Sequence, residues 1–263
     1  MSDLVVPELP PALRERTLAR FDEHRRAWQA NPALRTCYGH WYRRLREAFP
    51  PRELGPWIEI GSGPGFAREF IPELELTDVV QAPWHARQMS AEALALADSS
   101  VGALVLFDVL HHVAAPTTFF SEAARVLRPG GRIVLCEPFI SPVSSWVYRR
   151  FHPEPVDMTV DPLVAAVQDV ATVKDPFESN QAIPTLIFCR DRGRAFSRMF
   201  PSLAVVRVER MAGLSYPASG GFSHAPFLPA PLWRGLFALE NLLPEIVFRG
   251  LGFRVLVVIE LRK

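Results

Sequence analysis

Cysteine is scarce in this chain. The 263 residues contain three, Cys37, Cys136 and Cys189, far apart and without a C-x-x-C pair. That spacing argues against a zinc or dithiol motif, and no metal is expected. An odd, sparse count fits a reducing cytoplasm. An excess of one charge sign is also missing. Lys and Arg total 29 against 28 acids, a net charge of +1, so no bulk field recruits nucleic acid or anionic lipid. There is no Arg-rich cluster or basic-aromatic stripe of the kind that binds nucleic acid. Lysine is reduced to Lys174 and Lys263, a bias we read as genome composition. No uninterrupted apolar run reaches the length of a membrane span. Met1 to Leu13 is acidic and Pro-rich, without the basic start and apolar run of a signal peptide. Repeats and low-complexity tracts are absent.

What is present is ample core material. The apolar fraction is 49%, and the length favours one large domain, or one domain with an inserted cap. Pro11 to Ala30 reads as a helix with Leu13, Leu18, Phe21 and Trp28 inward. Asn31-Pro32 breaks it and opens a second helix to about Phe49, with Trp41, Leu45 and Ala48 at helical spacing. From Trp57 the period changes. Trp57 to Ile60 is a short apolar strand, followed by a short helix to Ile71. Leu74 to Val80 is a second strand, and a poorly marked third lies near Val80 to Gln88. Ala103 to Phe107 is a continuous apolar run, as a strand buried on both faces should be. Pro116 to Leu127 is a helix, Pro129-Gly-Gly131 a turn and Arg132 to Cys136 another buried strand. This alternation predicts a parallel sheet with right-handed crossovers. Ser141 to Gln181, rich in proline and without clear periodicity, reads as a lid or binding insertion. Arg190 to Phe200 is a helix, Ala204 to Arg210 a strand and Gly213 to Pro231 a loop. Leu232 to Val247 is helical with a break at Pro244, and Phe253 to Leu261 is a last strand.

The strongest local signal is Glu59-Ile-Gly-Ser-Gly-Pro-Gly65, between a strand and a helix. Gly61 and Gly63 let the backbone turn sharply and approach a ligand with no Cβ in the way. A dinucleotide loop needs G-x-G-x-x-G or G-x-G-x-x-A, but Phe66 occupies the sixth place. Glu59 would oppose a pyrophosphate and suits a ligand carrying an ammonium group. This segment resembles motif I of the class I S-adenosylmethionine (SAM)-dependent methyltransferases, in their small-molecule branch. Three further segments fit the same family in order. Asp78 ends the second strand, Phe107 to Val113 resembles the fourth-strand motif, and Glu122 to Gly131 resembles the helix and turn before the fifth strand. The resemblance covers roughly residues 57 to 137. It implies a Rossmann-like α/β fold: a seven-stranded, mostly parallel sheet with an antiparallel last strand and helices on both faces. It also implies a SAM site formed by Glu59, Gly61, Ser62, Gly63, Asp78 at the ribose, Ser90 and Ala91 at the adenine, and Phe107. Ser90 stands where the family often has an Asp, so it brings a hydroxyl and no charge.

The chain is read as one domain: a helical cap at 1–50, a SAM-binding half at 51–140, lid and substrate insertions at 141–231, and a closing helix and strand at 232–263. The cap and the insertions are expected to cover the carboxyl edge of the sheet. His111, His112 and Glu137 lie at that edge and are the candidate general bases, although the His-His pair equally suits a scaffold role. Tyr148, His152, Asn180, Gln181, His224 and the Ser219 to Phe222 turn are further pocket candidates. The apolar helix at 232–248 is core, or a shallow contact with the inner face of a membrane. The acceptor is a small molecule or a lipid- or glycan-type compound, and no nucleic-acid partner is expected. Two other readings stay open: a non-catalytic SAM-binding protein, and an NAD-dependent oxidoreductase on a related fold.

Overall fold

The computed structural model describes residues 9–164, 175–191 and 193–262. The first residues of the acidic N-terminus and positions 165–174 of the proline-rich insertion lie outside them. Helices α1 (Pro11–Ala30) and α2 (Pro32–Arg46) come first. Asn31 separates them, and its side chain accepts the Leu34 N–H as the α2 cap.

Seven strands follow: β1 (Trp57–Ile60), β2 (Glu75–Asp78), β3 (Arg87–Gln88), β4 (Val101–Phe107), β5 (Leu127–Pro138), β6 (Leu203–Met211) and β7 (Arg254–Leu261). They form one sheet in the order β3-β2-β1-β4-β5-β7-β6. The first five are parallel, and β7 runs antiparallel to both β5 and β6. Every residue of β4 is buried, as its unbroken apolar run requires. Alternate side chains feed two cores. Trp57, Val105 and Val134 join Trp41 and Leu45 of α2 on one face. Ile58, Leu104 and Leu106 meet Phe119 and Phe120 of α3 (Pro116–Val126) on the other. The strand order reverses between β1 and β4, and such a switch point opens a crevice at the carboxyl ends of the two strands.

Several sequence expectations are corrected. A single 3-10 turn, Phe66–Glu69, replaces the helix to Ile71, because Pro72 and Leu74 already begin the approach to β2. The Pro129-Gly-Gly131 turn is a bulge inside β5: Val101 pairs with Leu127 but Ala103 with Arg132, and Gly130 takes φ +81° to allow it. The proline-rich insertion contains helix α4 (Pro142–Phe151), started by a reciprocal Ser141–Ser144 capping box. Its pattern is hidden because only Ser144 and Tyr148 are buried, while Trp146 and Phe151 face outward. The helix expected at Arg190 to Phe200 is shorter, α6 (Arg194–Met199), with α5 (Ile183–Phe188) before it. The Gly213 to Pro231 loop holds one turn of helix, α7 (Ser215–Ala218). As expected, the closing helix breaks at Pro244, between α8 (Ala230–Glu240) and α9 (Glu245–Leu251). Among the described residues no helix is long and apolar enough to cross a membrane.

Candidate functional site

A cavity of about 1270 Å³ opens at the switch point. Its floor is the loop after β1. Gly61, Gly63 and Gly65 take φ of +68°, +48° and +79°, the left-handed region that glycine enters without strain. The Ser62 N–H donates to Thr77 O at 2.8 Å, and Ser62 Oγ accepts the Thr77 N–H at 3.2 Å, tying the loop to β2. Helix α1 closes over it: Arg25 donates to Pro64 O at 2.9 Å, and Trp28 stacks on Phe66 at 4.1 Å.

Two carboxylates flank the loop. Glu59 is buried, and Tyr42 Oη donates to its Oε1 at 3.4 Å. Its Oε2 is buried with no partner among the described residues. Burial pushes the Glu59 pKa up to about 7. Asp78 is also buried, with Oδ2 accepting the Gly63 N–H at 2.8 Å and Oδ1 the Val80 N–H at 2.9 Å. Burial raises its pKa against those two bonds. In the short β2–β3 connection, Trp84 Nε1 and His85 Nε2 both lie 2.8 Å from Gly63 O.

The second wall follows β4. Phe107 is buried, stacks on Tyr38 at 4.9 Å and lies 4.6 Å from the Tyr42 ring. Asp108 takes φ +58°. It pairs with buried Arg254, which lies against the rings of Trp41 and Tyr216 at 4.9 and 4.8 Å. His111 Nδ1 is 2.7 Å from Glu137 Oε2, and its Nε2 is 3.4 Å from Glu154 Oε2. Burial alone would lower the His111 pKa, but the bonds to Glu137 and Glu154 raise it to about 9. The other Glu137 oxygen accepts the N–H groups of Val109 and Leu110, both at 2.8 Å.

Residues 58–135 match a family described as "Methyltransferase domain". The chain fits that description over this segment alone, less than a third of its 263 residues. Its fold is shared with the solved structure of a SAM-dependent methyltransferase from Archaeoglobus fulgidus, 13% identical, over 86% of this chain and 94% of that one, at TM-score 0.50. A putative methyltransferase from Bacillus halodurans (12% identical, 84% and 99% covered, TM-score 0.45) is a weaker match. So is geranyl diphosphate C-methyltransferase from Streptomyces coelicolor (17% identical, 84% and 77% covered, TM-score 0.45). No curated protein matches the sequence.

Within the matched segment, Gly61, Ser62, Gly63, Asp78, Ser90, Ala91 and Phe107 all line this cavity. Glu59 sits just beneath, joined to it through Tyr42. Ser90 Oγ accepts the Glu92 N–H at 3.2 Å. Two of the candidate bases are differently placed than expected. Glu137 is fully buried and already accepts from three donors, so it does not contact a substrate. His111 has both ring nitrogens engaged by carboxylates, so it is no open base. His112 lines the cavity, as do Tyr148, His152, Gln181, His224 and Gly220 to Phe222. Asn180 instead braces the wall, its Oδ1 accepting the Asp157 N–H at 3.0 Å. Sequence reasoning missed Tyr42, Glu154 and the Asp108–Arg254 pair. A signal existed for two of them: Arg254 is a lone charge at the head of an apolar strand, and Glu154 is a carboxylate between two prolines.

Proposed function

We propose that the chain transfers the methyl group of SAM to an amphipathic small-molecule or lipid- or glycan-type acceptor. Glu59, Gly61, Ser62, Gly63, Asp78, Ser90, Ala91 and Phe107 would form the cofactor bed. The observation that carries this reading is Glu59 Oε2, a buried carboxylate oxygen without a partner, beneath three left-handed glycines. A ligand ammonium supplies the missing partner, whereas a pyrophosphate at this loop would be repelled. Asp78 spends one bond per oxygen on the backbone and keeps lone pairs for two ribose hydroxyls.

When bound, SAM supplies a methyl already activated on a sulfonium. The task left to the chain is to hold an acceptor in line with it, which can contribute most of the rate. The cavity exceeds the usual range for a single small ligand, which supports cofactor and acceptor bound together. Phe21, Phe66, Phe222 and Phe253 in its lining support an acceptor with apolar or ring surface. His112, His152 and Gln181 support a polar head on that acceptor. Exposed Leu232, Leu239, Leu242 and Ile246 support a shallow lipid-surface contact at 232–248, which sedimentation with vesicles would read.

The test is calorimetric titration with SAM, S-adenosylhomocysteine and NAD, on wild type and Asp78→Ala. Micromolar binding of the first two, none of NAD and clear weakening in the variant are expected. Well-folded wild type that ignores SAM, or prefers NAD, overturns the reading. Tight SAM binding without turnover across many acceptors would instead favour a non-catalytic SAM-binding protein.

A further inference from the structure

A second group of side chains lines the same cavity and has no part in holding the cofactor. His111, His112 and Glu154 each present a ligand atom, and these atoms lie within 4.8 Å of one another. His111 Nε2 lies 3.4 Å from Glu154 Oε2, the spacing of two donors sharing one ion about 2 Å from each.

Both ends of the group are braced from behind. Glu137 is a carboxylate facing His111 Nδ1 at 2.7 Å, and a carboxylate only accepts, so a ring proton sits on Nδ1. Nε2 faces the Glu154 carboxylate in the same way, so without an ion it too carries a proton, and a bound ion would take that proton's place between the two groups. Metal-ligating histidines are oriented in this way, by a carboxylate on the far nitrogen. Glu154 is held in turn by Ser179 Oγ at 2.7 Å and by Gln181 Nε2. Glu137 behind His111, and Ser179 and Gln181 behind Glu154, therefore orient both groups, which an ordinary His–Glu contact does not need.

We infer that His111, His112 and Glu154 form a binding site for one divalent transition-metal ion, open on its cavity side to an oxygen of the acceptor. Two imidazoles and one carboxylate suit zinc, cobalt or manganese and leave a coordination position vacant. Binding of the ion is independent of the methyltransferase reading; only the role of the vacant position rests on it. A competing trio, Asp108, His111 and Glu137, is equally compact. Its Asp108 is already paired with buried Arg254, so an ion there would have to break that ion pair, whereas Glu154 is held from behind only by the neutral donors Ser179 and Gln181. The sequence expectation of no metal followed from the missing C-x-x-C pair. It could not register a site whose third ligand lies beyond α4.

The experiment uses chelator-stripped full-length protein, titrated with Co2+ by visible absorption and with Zn2+ by calorimetry, without SAM. One ion per chain is expected. His112→Ala and Glu154→Gln should each weaken binding by about tenfold or more, while His224→Ala, exposed at the cavity rim, should leave it unchanged. X-ray absorption of Zn2+-loaded wild type should report two imidazole ligands, a reading that needs no variant to fold. Folded wild type that binds neither ion at millimolar concentration overturns the site, as do fewer than two imidazoles or unchanged affinity in both variants. SAM titration of the same samples separates the two proposals. SAM binding without metal binding sinks only the metal site, and metal binding without SAM binding sinks only the cofactor reading.

Discussion

Glu59 gives the most searching test of the cofactor reading. Burial lifts its pKa from 4.5 to about 7, so near neutral pH the carboxyl is about half protonated before any ligand arrives. An ammonium ligand needs the carboxylate. At pH 5.5 only about 3% of such a group is ionised, against about half at pH 7.0, so SAM affinity should rise about fifteenfold between these values. The α-amino group of SAM, near 7.7 to 8.0 for α-amines, stays mostly protonated in this window and adds little slope. Calorimetry at pH 6 in two buffers of different ionisation enthalpy should report close to one proton released per SAM bound. Glu59→Gln should bind more weakly, with a flat profile and no proton release. The stability of the ligand-free protein runs the other way. A carboxyl whose folded pKa is raised contributes stability that is fully present below 4.5 and lost as pH rises through about 7, a span of about 3 kcal/mol. Glu59→Gln should remove that slope from urea melts. A flat wild-type affinity profile, or the same slope in Glu59→Gln, would refute the reasoning.

Three other outcomes follow from packing. In Gly65→Ala, the φ of +79° is compounded by a Cβ only 2.6 Å from the Trp84 ring. Urea unfolding should show a loss of about 3 kcal/mol. Gly221→Ala has a φ of +57° but open space around it, so it should lose only about 1 kcal/mol; equal losses would show that the Trp84 contact is irrelevant. Arg254→Gln leaves Asp108 without its buried partner and should cost about 3 kcal/mol, largely recovered in the double variant with Asp108→Asn. Ser141→Ala removes the α4 capping box and should cost about 1 kcal/mol, with faster amide exchange confined to the first turn of α4.

Asp78 and the glycine loop were legible from sequence because their constraints are local. A left-handed turn between a strand and a helix demands glycine, and an unbroken apolar run such as Val101 to Phe107 can only be a strand covered on both faces. The alternation of strands and helices likewise implied a parallel order for the first strands, whereas the antiparallel β7 was expected only from the family resemblance. The insertion resisted reading for a physical reason. Helix α4 is only ten residues long, opens on a proline and buries just Ser144 and Tyr148, so its short apolar side was lost among the prolines around it.

Residue types and their spacing along the chain thus determined the sheet, its switch point and the loop at which a cofactor-sized ligand would lie. Which charges meet was decided only by tertiary structure, because those partners are far apart in sequence. Arg254 reaches Asp108 from the last strand, Tyr42 reaches Glu59 from a helix before the first strand, and Glu154 reaches His111 across α4. Local propensity carries no information about such meetings. Burial does, since a charge folded away from water has to find its partner wherever the sheet brings one near.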